Sequence, residues 1–247
     1  MDDTNFGSLR TANYSGSKQR MLTGLEHLVD GSSVLPFHIA DYWQWAYSDM
    51  LRNTQRGVFA EFIVKAALDL GGIFTNNNIR SNFEPFDLVG PNITKSSTPP
   101  RLENSSFPCR IEVKSAAYIQ SWNPHPGTTP RITFSIAPAK VPDETGDYRP
   151  DAPMQRNSDV YVFTVYTAKE RGRNILDMNL WEFYVAKTSA LDEKYGNQKT
   201  VSLTNLVKDL SLTAVPFSGL CQAILDACES ISNDNKKDYP VPDSPAR

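Results

Sequence analysis

Glu112 and Lys114 lie two residues apart in CRIEVKSAAYIQSW, residues 109–122. Side chains alternate along a strand, so this acid and base share one face while Ile111 and Val113 take the other. Such a pair is either an ordinary solvated strand face or half of a metal-dependent hydrolytic centre. By itself the spacing does not decide, since about one E-x-K triplet is expected by chance in a chain this long.

Three further residues or stretches favour the metal centre. Asp87 stands between Phe86 and Leu88 in PFDLVG, where an aspartate is disfavoured by strand propensity and costly if buried unpaired. A bound cation would account for it. Glu61 lies in the strongest helical pattern of the chain, RGVFAEFIVKAALDLGG, beside the apolar stripe Phe59, Phe62, Ile63, Ala66 and Leu70. The charged strand then runs into Ser115-Ala116-Ala117-Tyr118, whose small residues allow close approach by a ligand. Asp87, Glu112 and Glu61 would make an oxygen-rich site of the kind that holds Mg²⁺ through carboxylates, waters and substrate phosphate. A cation there polarises phosphate and acidifies a bound water. Lys114, on the same face, is a compact cation able to hold that water or to offset charge on the phosphate.

The succession FDLV then IEVKS resembles the PD-(D/E)xK nuclease superfamily, the restriction-endonuclease-like fold, over roughly residues 56–190. The resemblance implies Asp87 and Glu112 as metal ligands, Lys114 as the catalytic lysine and Glu61 as an auxiliary acid and further ligand. It implies an α/β fold with a single mixed central sheet of about five strands flanked by helices. It also implies Mg²⁺, with Mn²⁺ able to substitute. The leading Pro-Asp of the family is Phe86-Asp87 here, with Pro85 one place early. Gln120 falls at even spacing from Lys114 and is an accessory candidate, because some branches of the family carry a glutamine near the site. A solvated strand end is the plain alternative for it.

The elements that must position these residues are legible as patterns. KQRMLTGLEHLV and FHIADYWQWAYSDML read as two N-terminal helices ahead of the Glu61 helix, which stops at Gly71-Gly72. Strands are expected in NFEPFDLVG, CRIEVKSAAYI, RITFSIA, DVYVFTVYTA and LWEFYVAK, and a closing helix in PFSGLCQAILDACESIS. Residues 137–158 form a long, proline-bearing connection, expected to be a mobile surface loop near the substrate groove with Arg149 and Arg156. The expected organisation is an N-terminal helical extension over 1–55, a nuclease domain over 56–232 and a disordered tail over 233–247.

Other residues carry weaker signals. Arg56, Trp122 and Arg131 are candidate nucleic-acid contacts, although a helix-start arginine is usually just solvated. His125 reads as part of a proline-capped surface loop, and Trp43 and Trp45 as core or interface. Ser115 has no triad partners placed by any motif. No G-x-x-x-x-G-K-[ST] is present, which argues against an NTPase.

Composition bounds the rest. The chain has 247 residues, 40% hydrophobic, enough for one substantial core. Its net charge of -3 and pI near 5.7 argue against nonspecific coating of nucleic acid but leave room for a local basic groove. Cys109, Cys221 and Cys228 have no C-x-x-C spacing; Cys221 and Cys228, seven apart among apolar residues, read as core packing, and no disulfide framework is expected. That absence, with no apolar leader and no stretch of about 20 apolar residues, predicts a cytoplasmic protein with no membrane association. The expected activity is a Mg²⁺-dependent DNA endonuclease acting in restriction, repair or defence, with double-stranded DNA as substrate. A symmetric homodimer would cut both strands most easily. The alternative is an inactive module that keeps the fold to bind nucleic acid or protein.

Overall fold

A computed structural model describes residues 21–73, 80, 85–90, 109–121, 130–140 and 151–229. The chain divides into two units, one of Met1–Ser48 with Asn76–Asn82 and one of Asp49–Thr75 with Phe83–Arg247. Residues 1–20 and 230–247 lie outside the described residues, and with them the expected tail.

The first unit departs from the sequence expectation. Its first half is a hairpin, not a helix: β1 (His27–Asp30) pairs antiparallel with β2 (Ser33–His38). The cause is the two-residue turn Gly31-Ser32, with Gly31 at φ 59°, a conformation that glycine supplies and that matches strand twist. One helix follows, α1 (Ile39–Tyr47), where two were expected. Its first-turn amides of Ile39 and Ala40 donate to the carbonyls of Glu26 and Gly24 at 2.9 and 3.2 Å.

The second unit carries the charged strand. Helix α2 (Asn53–Leu70) leads into β3 (Leu88–Val89) and β4 (Arg110–Ala117). Then come β5 (Thr133–Ser135), β6 (Val160–Tyr166), β7 (Trp181–Lys187), α3 (Thr188–Tyr195), β8 (Thr200–Ser202), α4 (Leu203–Leu210) and α5 (Phe217–Glu229). The main sheet has the order β3-β4-β6-β7, mixed in direction, with β4 parallel to β6 and the outer pairs antiparallel. Every residue of β6 is buried, as a strand covered on both faces requires. The α/β class is as expected, but β5 does not join the main sheet. It pairs with β8 in a separate two-stranded sheet, so the sheet has four strands rather than about five.

Alternation sorts the core into two layers. Ile111, Val113 and Ala117 of β4, with Val160 and Val162 of β6, pack with Ala60, Ile63, Val64, Ala67 and Leu68 of α2 and with Leu220 and Ile224 of α5. On the other face Ala116, Tyr161, Phe163 and Val165 meet Phe134, Val201, Leu191 and Leu206. The buried side of α2 is thus Ala60, Ile63, Val64, Ala67 and Leu68, while Phe62 and Leu70 of the expected stripe are exposed.

Two buried arginines fix how strands meet. Arg110 donates through Nε and Nη2 to the two carboxylate oxygens of Asp159 at 2.9 and 2.8 Å, and its backbone N–H donates to Asp159 Oδ2 at 2.9 Å. The pair locks the starts of β4 and β6 together in parallel. Arg156, expected at a substrate groove, is instead buried, donating to the Ile136 carbonyl at 2.8 Å and to Asp192 at 2.6 Å. The ends of the 137–158 connection are pinned by an Ala139–Gln155 bridge. Residues 141–150, Arg149 included, lie outside the described residues.

The cysteines also differ from expectation. Cys109, immediately before β4, is disulfide-bonded to Cys228 in the last turn of α5 across 119 residues of sequence, and Cys221 is free. Spacing along the chain carries no information on a pair so far apart. The bond removes one ground, the lack of a disulfide, on which a cytoplasmic location was expected. Among the described residues no helix is long and apolar enough to cross a membrane.

Candidate active site

β3 is short, and that shapes the site. It pairs with β4 only through Leu88–Ile111 and Val89–Arg110. Beyond Ile111 no described strand covers this edge of β4. Asp87 sits just before β3, its N–H donating to the Ile111 carbonyl at 3.0 Å, and its Oδ2 accepts from the Val113 N–H at 2.7 Å. An aspartate inside an apolar stretch is therefore explained in part without a cation: it satisfies a backbone donor where the ladder stops. Stepping the antiparallel register back by one residue sets Asp87 opposite Glu112, the two acids on adjacent chain segments.

Glu112 and Lys114 are bonded to each other, the ammonium donating to Glu112 Oε1. Their side chains are 17% and 28% exposed. That is too little for a solvated strand face and enough for access from one side. On β6 their register partners are Tyr161 and Phe163, so a polar pair projects over the aromatic face of the sheet. Burial pushes the Glu112 carboxyl up from its ordinary range; Lys114 opposes this, while Asp87 and, more weakly, Glu61 add to it by like-charge repulsion. The Tyr161 hydroxyl is pushed up as well, by burial first and by the Glu112 charge second.

Glu61 is buried on α2, which packs on the Ile111–Val113 face of β4. Its charge is felt at Glu112, though as the smallest of the five causes. Among the described residues no group of three or more histidine, cysteine or acidic side chains is gathered as a metal cage. What is brought together is Asp87, Glu112 and Lys114, with Glu61 contributing charge from the far side of the strand.

Arg56 and Gln120, read separately in the sequence, meet. Arg56 is buried rather than solvated and donates to the Leu51 carbonyl at 2.9 Å, Asn53 Oδ1 at 2.6 Å and Gln120 Oε1 at 3.1 Å. Burial lowers its guanidinium to about 10. Gln120 also donates to the Ala117 carbonyl at 3.2 Å. These bonds tie the first turn of α2 to the end of β4, so Arg56 acts as a brace and not as an exposed contact. Arg131 is exposed ahead of β5. Trp122 and His125 lie outside the described residues.

Sequence reasoning missed Asp159 as the partner of Arg110 on the site strand and the Val113 amide as the partner of Asp87. Asp159 had a signal, an acid at the mouth of an otherwise apolar strand, whereas a backbone amide has none. Set against models of protein families, curated proteins and solved structures, the chain matches none of them.

Proposed function

We propose that the chain is a Mg²⁺-dependent nuclease of the PD-(D/E)xK type that hydrolyses phosphodiester bonds in double-stranded DNA. The observation that carries this is the pairing of Asp87 with Glu112 at an open strand edge, where burial and two neighbouring acids push the Glu112 carboxyl up. Carboxylates so placed are costly to keep ionised together, and a divalent cation offsets that cost. The donor set, carboxylate oxygens with a third acid behind, suits a hard cation, Mg²⁺ or Mn²⁺. Asp87 and Glu112 would hold it, with Glu61 adding negative charge. When bound, the cation supplies Lewis acidity to phosphate and an acidified water.

The protein's own residues have separate tasks. Asp87 is oriented by the Val113 amide, which fixes one of its oxygens. Glu112 holds the Lys114 ammonium on the exposed side of the strand. That ammonium is positioned to offset charge developing on the phosphate or to hold the attacking water. The order of α2, β3 and β4, followed by a parallel β6, is compatible with the restriction-endonuclease-like fold. A homodimer would present two such sites, one for each strand.

A second reading is a module without catalysis that binds nucleic acid or protein. The ion pair between Lys114 and Glu112, which makes the pair self-sufficient, favours it. A plasmid-nicking assay with and without Mg²⁺ separates the two. Cleavage that requires Mg²⁺ and is lost in both Asp87→Asn and Lys114→Ala supports the nuclease. No cleavage of any DNA form with Mg²⁺ or Mn²⁺ leaves the module.

A further inference from the structure

The exit of the site strand carries a second charged feature. Glu112, Lys114 and Ala116 share one face of β4, and Tyr118 continues that spacing and packs against the same apolar layer as Ala116. Its N–H donates to the Tyr166 carbonyl at 3.3 Å, so the ladder to β6 runs this far. Past Tyr166 the chain crosses to β7 through residues 167–180, which begin with the stretch Lys169-Glu170-Arg171-Gly172-Arg173. That is three positive charges against one negative in five residues, in a chain whose net charge is -3. All five residues are exposed.

An exposed run of charge is ordinarily a solvated loop whose side chains roam, but this one is pinned along its length. Thr167 donates through its N–H and its hydroxyl to the Leu180 carbonyl at 2.8 and 2.9 Å. The Lys169 ammonium lies 5.5 Å from the centre of the Tyr118 ring, a cation–π seat. Arg171 Nη2 donates to the Gln120 and Ser121 carbonyls at 3.3 and 3.2 Å, and Gln120 is itself held by Arg56. The Tyr166 hydroxyl donates to the Arg173 carbonyl at 3.0 Å. Gly172, at φ 85°, makes the turn between the two arginines, a conformation that glycine adopts without strain. Of the nearby acids, Asp177 is engaged by the Asn179 backbone and side-chain amides at 3.0 and 2.9 Å. Glu170 is the opposing charge within the loop. Charges ordered in advance spare a ligand the entropic cost of immobilising them.

We propose that Lys169 and Arg173 seat backbone phosphates of duplex DNA lying along β4, on the sheet face that presents Lys114. The proposal rests on the nuclease reading and names where that substrate is held. Four residues of extended chain separate Lys114 from Tyr118, about 13 Å at roughly 3.3 Å per residue. One strand of the duplex carries a phosphate about every 3.4 Å of its axis, so the Lys169 contact falls about four nucleotides from the phosphate at Lys114. Contacts to phosphate set position and register and carry no sequence information directly. The loop would therefore decide which phosphodiester reaches Lys114. Arg171, spent on two carbonyls of the β4 exit, holds the loop in place.

The test is fluorescence anisotropy of a labelled random-sequence duplex titrated with the full chain over a series of KCl concentrations, without divalent cation so that the proposed cleavage does not run. Lys169→Ala/Arg173→Ala should weaken binding equally for all sequences and flatten the plot of log Kd against log salt by about 1 for each residue removed. Lys169→Gln alone, which keeps the stem over Tyr118, should give about half that change. Lys169→Arg/Arg173→Lys keeps both charges and should bind as the unsubstituted chain does. Lys194→Ala/Lys208→Ala removes the same charge from exposed positions of α3 and α4 and should leave the slope unchanged. A slope unaltered by the first two variants, or flattened equally by the α3/α4 pair, overturns the proposal while DNA binding and the nuclease reading stand. An unsubstituted chain that binds no duplex, in this buffer or with Mg²⁺ restored, overturns both.

Discussion

Glu112 is the residue on which the proposed chemistry turns. Its raised carboxyl means that the folded chain holds this proton to a higher pH than the unfolded chain does. Stability of the metal-free protein therefore falls as pH rises from the ordinary carboxyl range through the raised value. Glu112→Gln should flatten that part of the stability profile, which urea melts across pH would show. A cation shared with Asp87 should reverse the shift. Mg²⁺ is expected to lower the Glu112 midpoint in a carboxyl-carbon NMR titration, and a midpoint indifferent to Mg²⁺ would remove the metal from this site. Lys114→Ala is expected to abolish cleavage while leaving cation affinity within a few-fold. Its effect on stability should be about 1–2 kcal/mol, between an exposed and a fully buried ion pair. Unchanged cleavage in Lys114→Ala would sink the proposed role.

At the scale of elements, the site depends on β4 being held from both ends. The Arg110–Asp159 pair joins the starts of β4 and β6. Asp159→Asn leaves a buried guanidinium short of its partner, so a loss of about 3–5 kcal/mol is expected in denaturant melts. A loss under about 1 kcal/mol would show that the parallel register is set by the apolar residues alone. The other contact of note is between helices. A Cβ at Gly71, at the end of α2, would collide with the Cys221 sulfur of α5. Gly71→Ala should therefore destabilise by about 1–3 kcal/mol, the usual effect of overpacking. Cys221→Ala in the same chain should recover most of that loss, and failure to recover would mean that the two helices do not meet there.

For the molecule as a whole, the Cys109–Cys228 disulfide joins the strand that bears the site to the last described helix. It closes a loop of 119 residues, and loops of that length lose much entropy when unfolded chains are cross-linked. Reduction, or Cys109→Ser, is expected to lower unfolding free energy by about 2–4 kcal/mol, read as a shift in the urea midpoint. An identical midpoint with and without reductant would show that the bond does not form in solution. The first unit has no such staple among its described residues.

Much of this was legible in the sequence because its causes are local. The helix around Glu61, the strands holding Glu112 and Tyr161, and the closing helix follow from apolar patterning, β-branched runs and a Gly-Gly stop. The Gly31-Ser32 hairpin was legible too, but an apolar series spaced like a helix outweighed the turn. The chemistry-bearing quartet could be named because an acid inside an apolar strand is costly wherever it falls. Tertiary structure alone decided what surrounds those residues. That Arg56 braces Gln120, that Arg156 is buried against Asp192, and that Cys109 finds Cys228 are pairings across 36 to 119 residues. Nothing in local sequence encodes such distances. The edge left open by a two-residue β3 decided the rest, since it lets the Asp87 carboxylate take the place of a strand beside Glu112. Residue type determined which chemistry was available, and chain packing determined which residues were spent on holding the fold.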